Sequence, residues 1–346
     1  MSTESPAVTM HDVARAAGVG VATVDRVINE RARVRPETAQ RVLAAAEQLG
    51  FRRSGLIRRR LDQQGRALRL GFILQHRRSP FYQQVARALQ QAAREHEARR
   101  IEVRIEFLEE LTPRFVAASL QQLARNVDAI ALVAADHPTI NQAIEAVVAQ
   151  HQLPVFACVS DLTTQALAGY VGVDNRKVGR MAAWLLSRQC PAASKVALLL
   201  GSHRYLCQEQ CEISFRSYLR EAAPQFHVLE TLVSLENPQL AQNAVLELLH
   251  QHPDLAGIYV AGGGIEGVVD ALRDTPQPRL VTVCHDLTDI TRQALLDGTV
   301  TAVLSHPLPA MARSLCDAMR QAIDSRRSQH RLQNLLPFEL FTAANV

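Results

Sequence analysis

A glycine-rich segment between an apolar run and a predicted helix is the most enzyme-like feature of the chain. Residues 262–267 read Gly-Gly-Gly-Ile-Glu-Gly, a formal G-x-G-x-x-G motif, and Asp286 follows the next apolar run, where a ribose acceptor could stand. Such a loop could hold a pyrophosphate at a helix N-terminus. Its position deep in the chain and the negative charge of Glu266 disfavour that chemistry. A dinucleotide-binding enzyme or cofactor sensor is therefore the alternative hypothesis.

A second set combines metal-capable side chains at helical spacing. His203, Cys207 and Cys211 lie four residues apart, so one helix face could present all three. No fourth ligand is evident, and C-x3-C is wider than the spacing of common zinc sites. Buried packing of the thiols is the favoured interpretation, and a redox sensor is the alternative. Because neither G-x-S-x-G nor H-E-x-x-H occurs, we expect no catalytic residue, no metal, no cofactor and no enzyme.

Arginine is concentrated near the amino terminus. Residues 1–66 hold 12 Arg against 7 acidic residues, a net charge of +5, whereas residues 67–346 carry a net charge of −1. The basic part is the one expected to seek an acidic partner, and the partner we predict is nucleic acid.

Residues 9–51 predict three short helices. The T-M-H-D sequence has the spacing of a capping box at the start of the first helix, and Gly18 ends it. A second helix would run from about Val21 to Asn29, and Pro36 fits the first turn of a third. The residues expected to form the core are Val13, Ala14, Ala17, Val24, Val27, Ile28, Val42, Ala46 and Leu49. Two helices joined by a tight glycine turn predict an all-α helix-turn-helix DNA-binding domain.

This stretch resembles the amino-terminal domain of lactose-repressor (LacI/GalR) regulators. The resemblance lies in D-V-A-x-x-A-G-V, T-V-x-R-V-x-N, the E-T pair after Pro36 and the closing L-G-F. It implies a transcription regulator whose second helix enters the major groove of double-stranded DNA. By this resemblance, base edges are read by Val21, Ala22 and Arg26, and phosphates lie near Thr23, Asn29, Arg33 and Thr38. Arginine can grip O6 and N7 of guanine, and small apolar side chains can meet the thymine methyl group.

Two residues depart from the family pattern. Gly20 stands where the family usually has a capping Ser, and Asp25 stands where it usually has Ser or another polar residue. Each change removes an expected phosphate contact. Asp25 could accept a hydrogen bond from N4 of cytosine, or it could hold Arg26 or another neighbour in place, and the second role is favoured.

An arginine-rich segment, residues 52–66, links this domain to the rest of the chain. In the family the segment folds into a hinge helix that wedges an apolar side chain into the minor groove. An ungapped alignment puts Arg60 at the wedge position, with Leu61 beside it. Either Leu61 inserts after a one-residue shift, or arginines such as Arg58 and Arg59 grip a narrow minor groove, or the segment is a flexible basic linker.

The pattern changes beyond residue 67 to short apolar runs, most of them followed by an amphipathic stretch. The runs are LRLGFIL, IEVRIEF, DAIALVA, PVFACV, GYVGV, KVALLL, AGIYVAG and RLVTVC. They predict an α/β domain of two parallel-sheet lobes, each with about five or six strands, and a ligand cleft between the lobes. The expected domains are residues 1–51, which bind DNA, a linker at 52–67, and an effector-binding and dimerisation domain at 68–346.

Motifs at the strand ends resemble the periplasmic-binding-protein-like effector domain of the same regulators. They include S-P-F-Y, V-D-N-x-x-x-G, S-F-R-S-Y-L, H-D-L-T and the closing L-P-F-E-L-F-T-A-A-N. The side chains that this resemblance places at the effector are Ser79, Phe81, Tyr82, Asp136, Gly263, Asp286 and His306. Aromatic faces and carboxylates suit a sugar or a sugar derivative. The family's effector-gripping Arg falls on Cys211, so an anionic ligand would need another cation, such as Arg204.

Two of the matched positions also have purely structural interpretations. Asp174 is expected to cap the helix that begins at Asn175. His306 precedes a proline and could be a loop residue only.

Composition and the resemblance together set the remaining expectations. No apolar run approaches a membrane span, the first residues lack a signal-peptide core, and the six cysteines are not clustered, which suits the reducing cytoplasm. We expect a cytoplasmic repressor that binds a near-palindromic operator as a homodimer, with a tetramer as the alternative. A small ligand in the cleft would change operator binding by shifting the orientation of the lobes.

Overall fold

The computed structural model describes residues 8–29, 34–55, 57–58, 67–96, 99–275, 280–325 and 331–346. Two compact units are present, one formed by Met1–Leu68 with Ala93–Glu102 and the other by Arg69–Ala92 with Val103–Val346. Among the described helices, none has both the length and the apolar character that crossing a bilayer would require.

The amino-terminal unit contains the three predicted helices, α1 (Met10–Ala17), α2 (Val21–Asn29) and α3 (Pro36–Gln48). The capping box at the start of α1 is present, because Thr9 accepts from the Asp12 N–H and Asp12 accepts from the Thr9 N–H. The apolar core is made by Val13, Ala14, Ala17, Val24, Val27, Ile28, Ala39, Val42, Ala45, Ala46, Phe51 and Ile57. The helix-turn-helix prediction is confirmed.

The prediction that Leu49 closes this core is wrong. Its side chain is 38% exposed, whereas Phe51 is 8% exposed. Gly50 adopts a φ of 70°, and the Phe51 N–H donates to the Ala46 carbonyl at 2.8 Å, which is the hydrogen bond of a Schellman turn. This turn ends α3 and folds Phe51 back onto the core, so that the residue after the glycine, not the one before it, fills the gap.

The described residues from Leu68 onward contain thirteen strands. In chain order they are β1 (Leu68–Gln75), β2 (Ile101–Leu108), β3 (Ala129–Leu132), β4 (Val155–Cys158), β5 (Gly169–Val173), β6 (Lys195–Leu200), β7 (His227–Val228), β8 (Leu232–Val233), β9 (Leu255–Val260), β10 (Val281–His285), β11 (Ala302–Ser305), β12 (Leu332–Leu336) and β13 (Glu339–Phe341). The helices are α4 (Pro80–Glu95), α5 (Pro113–Ala124), α6 (Pro138–His151), α7 (Asn175–Gln189), α8 (Leu206–Ala222), α9 (Pro238–Gln251), α10 (Ile265–Asp274), α11 (Asp289–Leu296) and α12 (Leu308–Asp324).

These strands form two sheets, and each sheet is the centre of one lobe. The first has the order β12-β5-β4-β3-β1-β2, and the second has the order β13-β11-β10-β9-β6-β7, with β8 also paired to β6. The strand pairs with an assigned register are parallel, except that β13 runs antiparallel to β11. The predicted α/β architecture of two parallel-sheet lobes is confirmed.

The described chain passes between the lobes at three places. It leaves the first sheet after Val173, returns to it after Ser305 through α12, and crosses again between Leu336 and Glu339. Because parallel strands of one sheet end at the same edge, loops that follow them gather there, and a cleft between two such edges collects side chains from distant parts of the sequence.

Candidate functional site

The outer face of α2 is the candidate surface for nucleic acid. Val24, Val27 and Ile28 are buried, and the opposite face carries the exposed residues Ala22, Arg26 and Asn29 and the partly exposed residues Val21, Thr23 and Asp25. Thr38, in the first turn of α3, is also partly exposed. The side chains expected to contact DNA on these two helices are therefore accessible, because the apolar positions are the ones that pack inward.

Asp25 holds another residue of the same helix. The Asn29 amide nitrogen donates to Asp25 Oδ1 at 2.6 Å, one helical turn apart. This contact corresponds to the structural role considered for Asp25.

The segment after α3 remains attached to the helix-turn-helix core as far as it is described. Ile57 is fully buried in that core, and Arg58 forms an ion pair of 2.7 Å with Glu47. Both charged side chains are exposed, so the pair is worth about 0–1 kcal/mol, and Arg58 can exchange Glu47 for a phosphate at little cost. Four residues considered for DNA contact or hinge insertion lie outside the described residues: Arg33, Arg59, Arg60 and Leu61.

A cavity of about 670 Å³ lies between the two lobes. Its size is within the range of sites for small molecules. Six of the side chains expected at the effector line it: Ser79, Phe81, Tyr82, Gly263, Asp286 and His306. The first three come from the start of α4, and the other three follow strands β9, β10 and β11 of the second sheet.

Asp136 and Cys211 are placed elsewhere. The Asp136 carboxylate accepts hydrogen bonds from the Thr163 hydroxyl and the Asn141 amide, at 2.9 to 3.0 Å. Cys211 is 1% exposed, and its thiol donates to the Asn175 carbonyl within the packing of α8 against α7. Neither lines the cavity. Arg204, considered as a replacement cation, is exposed and also outside the cavity lining.

Asp286 and His306 form the central polar pair of the cavity wall. Strands β10 and β11 are parallel neighbours, so the residues that follow them meet. Asp286 Oδ1 accepts from the His306 backbone N–H at 3.0 Å and lies 2.8 Å from His306 Nδ1. Burial acts to raise the pKa of Asp286, but the adjacent His306 outweighs it and the pKa is lowered. Burial acts to lower the pKa of His306, but Asp286 outweighs it and the pKa is raised. His306 therefore has a charged partner on the cavity wall and is more than a loop residue before a proline.

The neighbouring His285 has a pKa shifted in the opposite direction. Burial lowers its pKa to about 4, so the ring is neutral near pH 7. Its Nε2 lies 2.7 Å from the Tyr259 hydroxyl, which can donate to a neutral ring. The cavity wall thus holds one histidine that favours the charged form and one that favours the neutral form.

The glycine-rich loop packs against a carboxylate. A Cβ added to Gly263 or to Gly201 would collide with the Glu236 carboxylate. Glu236 also accepts from the Gln208 amide at 2.7 Å. An anionic pyrophosphate at this loop would meet that carboxylate and Glu266. The arrangement gives no support to dinucleotide binding, although the loop does join a strand to a helix as the motif requires.

The backbone around the cavity is strained at four non-glycine residues. Val159, Leu235, Glu236 and Asp286 have φ values of 65°, 53°, 60° and 62°, and all four line the cavity. The left-handed region is costly for such residues, most of all for β-branched valine. Residues held in this way by the surrounding structure concentrate at functional sites.

The cysteines near the cavity are not set up as reactive thiols. Cys207 lines the cavity, but burial raises its pKa to about 12, so the thiol stays protonated. In the part of the chain that the structure describes, no three His, Cys, Asp or Glu side chains are grouped in a way that could hold a metal ion. His203 instead pairs with Glu212 at 3.0 Å.

Sequence reasoning missed Glu236, Glu266 as a wall residue, Val159 and Gln208. One signal could have located Glu236. It precedes Asn237-Pro238, where Asn237 caps α9 by accepting from the N–H groups of Gln239 and Leu240. A helix cap also located Asp174, whose prediction as the cap of α7 is confirmed. Glu236 lies one residue before such a cap, between β8 and α9, where a strand ends and a helix begins.

Comparison with known proteins agrees with this arrangement. Residues 70–327 match the model of the periplasmic binding protein domain, and residues 9–54 match that of bacterial regulatory proteins of the lacI family. The chain is 25% identical to the maltose regulon regulatory protein MalI of Escherichia coli (strain K12), over 97% of this chain and 98% of that one. It is 36% identical to catabolite control protein A of Priestia megaterium over 86 residues, 25% of either chain.

Among solved structures, GanP, a glucose-galactose binding protein from Geobacillus stearothermophilus, has a similar fold. The match has a TM-score of 0.72 at 16% sequence identity and covers 82% of this chain and 99% of that one. Identity this low speaks for the fold alone.

Proposed function

This chain belongs to the periplasmic-binding-protein domain family and carries an amino-terminal domain of the lacI family of bacterial regulatory proteins, and on that premise we propose that it is a ligand-controlled transcriptional regulator. Its helix-turn-helix would bind a specific operator, and a small molecule in the cleft would change that binding. The observation that carries the proposal is the accessible face of α2, on which Arg26 stands beside small side chains and away from the buried core.

The contacts with DNA divide into two kinds. Arg26 would grip a guanine in the major groove, with Val21 and Ala22 against neighbouring bases. Thr23, Asn29 and Thr38 would position the domain on phosphates, which sets affinity and carries no sequence information. We extend the phosphate contacts to Arg58, because its exposed pair with Glu47 is easily replaced. Arg33, Arg59 and Leu61 keep the roles proposed from the sequence.

The ligand is proposed to be a sugar or sugar derivative. Phe81 and Tyr82 contribute aromatic rings with centroids 5.0 Å apart, and the opposite wall contributes Asp286 and His306. A sugar has an apolar ring face that packs on aromatic rings and hydroxyls that donate to carboxylates. GanP, with a similar fold, is described as a glucose-galactose binding protein. Asp136 and Cys211 would influence the site through the segments that they hold, not by touching the ligand.

The regulatory mechanism is a shift in the arrangement of the lobes. A ligand that touches both walls binds one orientation of the lobes more tightly than the others. Only this difference in affinity between the orientations allows the ligand to change a distant site. In a homodimer the shift would alter the spacing of two DNA-binding domains and hence the fit to a near-palindromic operator. We propose repression as the output and the cytoplasm as the location, because a regulator of this family acts on DNA inside the cell.

Selection of fragmented genomic DNA by the purified full-length protein tests this proposal. The salt concentration is held near the physiological value, because the affinity of a protein for DNA falls steeply as the salt concentration rises. Enrichment of a short palindrome is the expected result, with sedimentation showing a dimer on one site. Binding that is sensitive to salt but indifferent to sequence would refute operator recognition.

A further inference from the structure

Two carboxylates of the second-lobe wall, Glu236 and Glu266, form no ion pair with any residue that the structure describes. Glu236 accepts hydrogen bonds from two neutral groups, the Gln208 amide and the Gly263 N–H. Glu266 accepts from its own backbone N–H, and the charge that acts on it is that of Asp270. Within the described residues that line the cavity, Arg78 is the one lysine or arginine, and it is exposed. The second-lobe wall therefore presents negative charge that the protein itself does not balance.

The two groups act on one another. Burial raises the pKa of Glu236, and the charge of Glu266 raises it further. Burial also raises the pKa of Glu266, and Asp270 adds to the effect. Both carboxylates would be stabilised in their charged form by a cation placed between the lobes, because an opposite charge in a partly desolvated site favours ionisation.

The facing wall is also suited to a cation. Tyr82 lies close enough to Glu236 that the carboxylate raises its pKa in addition to the larger effect of burial. Phe81 packs edge-on against Tyr82 and lies 5.7 Å from the His306 ring. Aromatic faces attract ammonium groups, and more strongly where water is excluded. Carboxylates on one side and aromatic rings on the other make a setting in which an amine is favoured over a neutral group.

A separate observation points to a ligand in the same place. The His306 side chain lines the cavity, is 7% exposed and keeps its Nε2 without a hydrogen-bond partner among the described residues. A buried ring nitrogen left unpaired costs free energy unless something else completes it. Because Asp286 favours the protonated ring, Nε2 carries a hydrogen, and a hydroxyl oxygen of a bound polyol could accept it.

We propose that the ligand of this cleft carries a positive charge, and that it is an amino sugar or a closely related amine-bearing polyol whose ammonium group pairs with Glu236 and Glu266. The inference rests on the proposed function of the cleft as the effector site. The inference narrows the ligand from sugars in general to sugars and polyols that carry an amine. Phosphorylated and acidic sugars are excluded from it, because the wall would repel them.

Calorimetric titration of the full-length protein with matched sugars tests the proposal. The probes are D-glucosamine, D-galactosamine and D-mannosamine, each with its neutral hexose and its N-acetyl derivative, which is larger but uncharged. At least one amine should bind about tenfold or more tightly than both neutral partners, as a charge-assisted contact requires. Glu236→Gln and Glu266→Gln should each reduce this preference. Glu230→Gln, at an exposed position outside the cavity lining, should leave it unchanged.

The outcomes separate this inference from the proposed function. If no amine binds, or if every neutral partner binds as tightly as its amine, the charge inference is overturned. If in addition a neutral sugar alters operator binding, the proposed function stands without it. A preference for the amine that survives in both glutamine variants would also overturn the inference, since the charge would then be recognised elsewhere. Loss of sequence-specific operator binding would refute the proposed function whichever sugar binds.

Discussion

The hydrogen bond between Asp286 and His306 ties two strand ends together on the wall of the cavity. His306 has a raised pKa, so its contribution to stability is complete below its ordinary value of 6.5 and is lost as pH rises through the folded value. Asp286 has a lowered pKa, so its contribution is present above 3.8 and is lost as pH falls through the folded value. The pair therefore stabilises the fold most between these two ordinary values.

Asp286→Asn should lower the free energy of unfolding by about 2 kcal/mol near pH 6, because His306 loses the charge that stabilises its protonated form. The difference from wild type should shrink as pH rises above the folded pKa of His306. Chemical denaturation at several pH values measures it, with Asp289→Asn, at the exposed start of α11, as the matched control. We also expect the variant to lose its ligand response while operator binding is retained. An unchanged dose response would remove Asp286 from the site.

Arg26 is the residue on which sequence preference is expected to depend. Arg26→Ala should weaken operator binding by about 1–3 kcal/mol and relax selectivity at one base pair, because a bidentate contact to guanine is lost. Binding to a set of singly substituted operators measures both effects. Arg41→Ala, an exposed arginine on α3, removes the same charge and should lower affinity less and without change in selectivity. Equal weakening of all sequences by Arg26→Ala would mean that it contacts phosphate.

Helix ends in the amino-terminal unit depend on particular glycines. Gly50 has a φ of 70°, whereas Gly55 has no positive φ, and an added Cβ would meet nothing within 4 Å at either position. Steric contact therefore does not distinguish the two sites, and backbone conformation does.

Gly50→Ala should destabilise the domain by about 1–2 kcal/mol, because alanine in the left-handed region is strained. The turn that returns Phe51 to the core would be weakened with it. Gly55→Ala, at an exposed position with an ordinary φ, is the matched control and should not destabilise the domain. Thermal unfolding of the two variants compares them. Equal melting temperatures would show that the Schellman turn does not limit stability here.

Gly20 directly precedes α2 and takes the place of its capping residue. Its carbonyl accepts from the N–H groups of Thr23 and Val24, at 2.8 and 3.3 Å, but it has no side chain to cap the helix. A serine could accept from one of the free N–H groups, although the gain over glycine is only a few tenths of a kcal/mol. The loss of the usual serine is therefore of little consequence for folding and matters mainly as a lost phosphate contact.

The two lobes of the molecule are joined by a few polar contacts as well as by the crossing chain. Gln75, at the end of β1, donates from Nε2 to the Tyr205 hydroxyl at 2.8 Å, and both residues are buried. The Asp136 N–H donates to the Arg204 carbonyl at 2.8 Å. The segment before α8 is therefore one place where the second lobe contacts the first, and Asp136 contributes there.

Tyr205→Phe should lower the free energy of unfolding by about 1–3 kcal/mol, because it leaves the buried amide of Gln75 without a partner. The Gln75 Oε1 already has none among the described residues. Tyr218→Phe, on the half-buried part of α8, is the control and should have little effect. Denaturation of both variants provides the measurement. We expect operator binding without ligand to be retained in each, and a Tyr205→Phe protein as stable as the control would show that this contact does not hold the lobes.

Local sequence pattern was sufficient for the elements. All eight apolar runs are strands, α2 has the predicted bounds of Val21 and Asn29, and Asp174 caps α7 as expected. These features depend on side-chain periodicity and on capping residues a few positions apart, so a short window contains their physical cause. Five strands, β7, β8, β11, β12 and β13, are not among these runs. Each is only two to five residues long, which leaves little room for a periodic pattern.

The sequence by itself determined a helix-turn-helix, an α/β domain and the side chains that could serve each. Only the tertiary structure decided which of them meet. Strand order brings Asp286 to His306 and places Glu236 over the glycine loop, whereas it leaves Asp136 between the lobes and Cys211 within helix packing. The physical reason is that a cavity forms where chain segments far apart in sequence end at the same sheet edges, and that convergence depends on the pairing of whole strands and not on any local pattern.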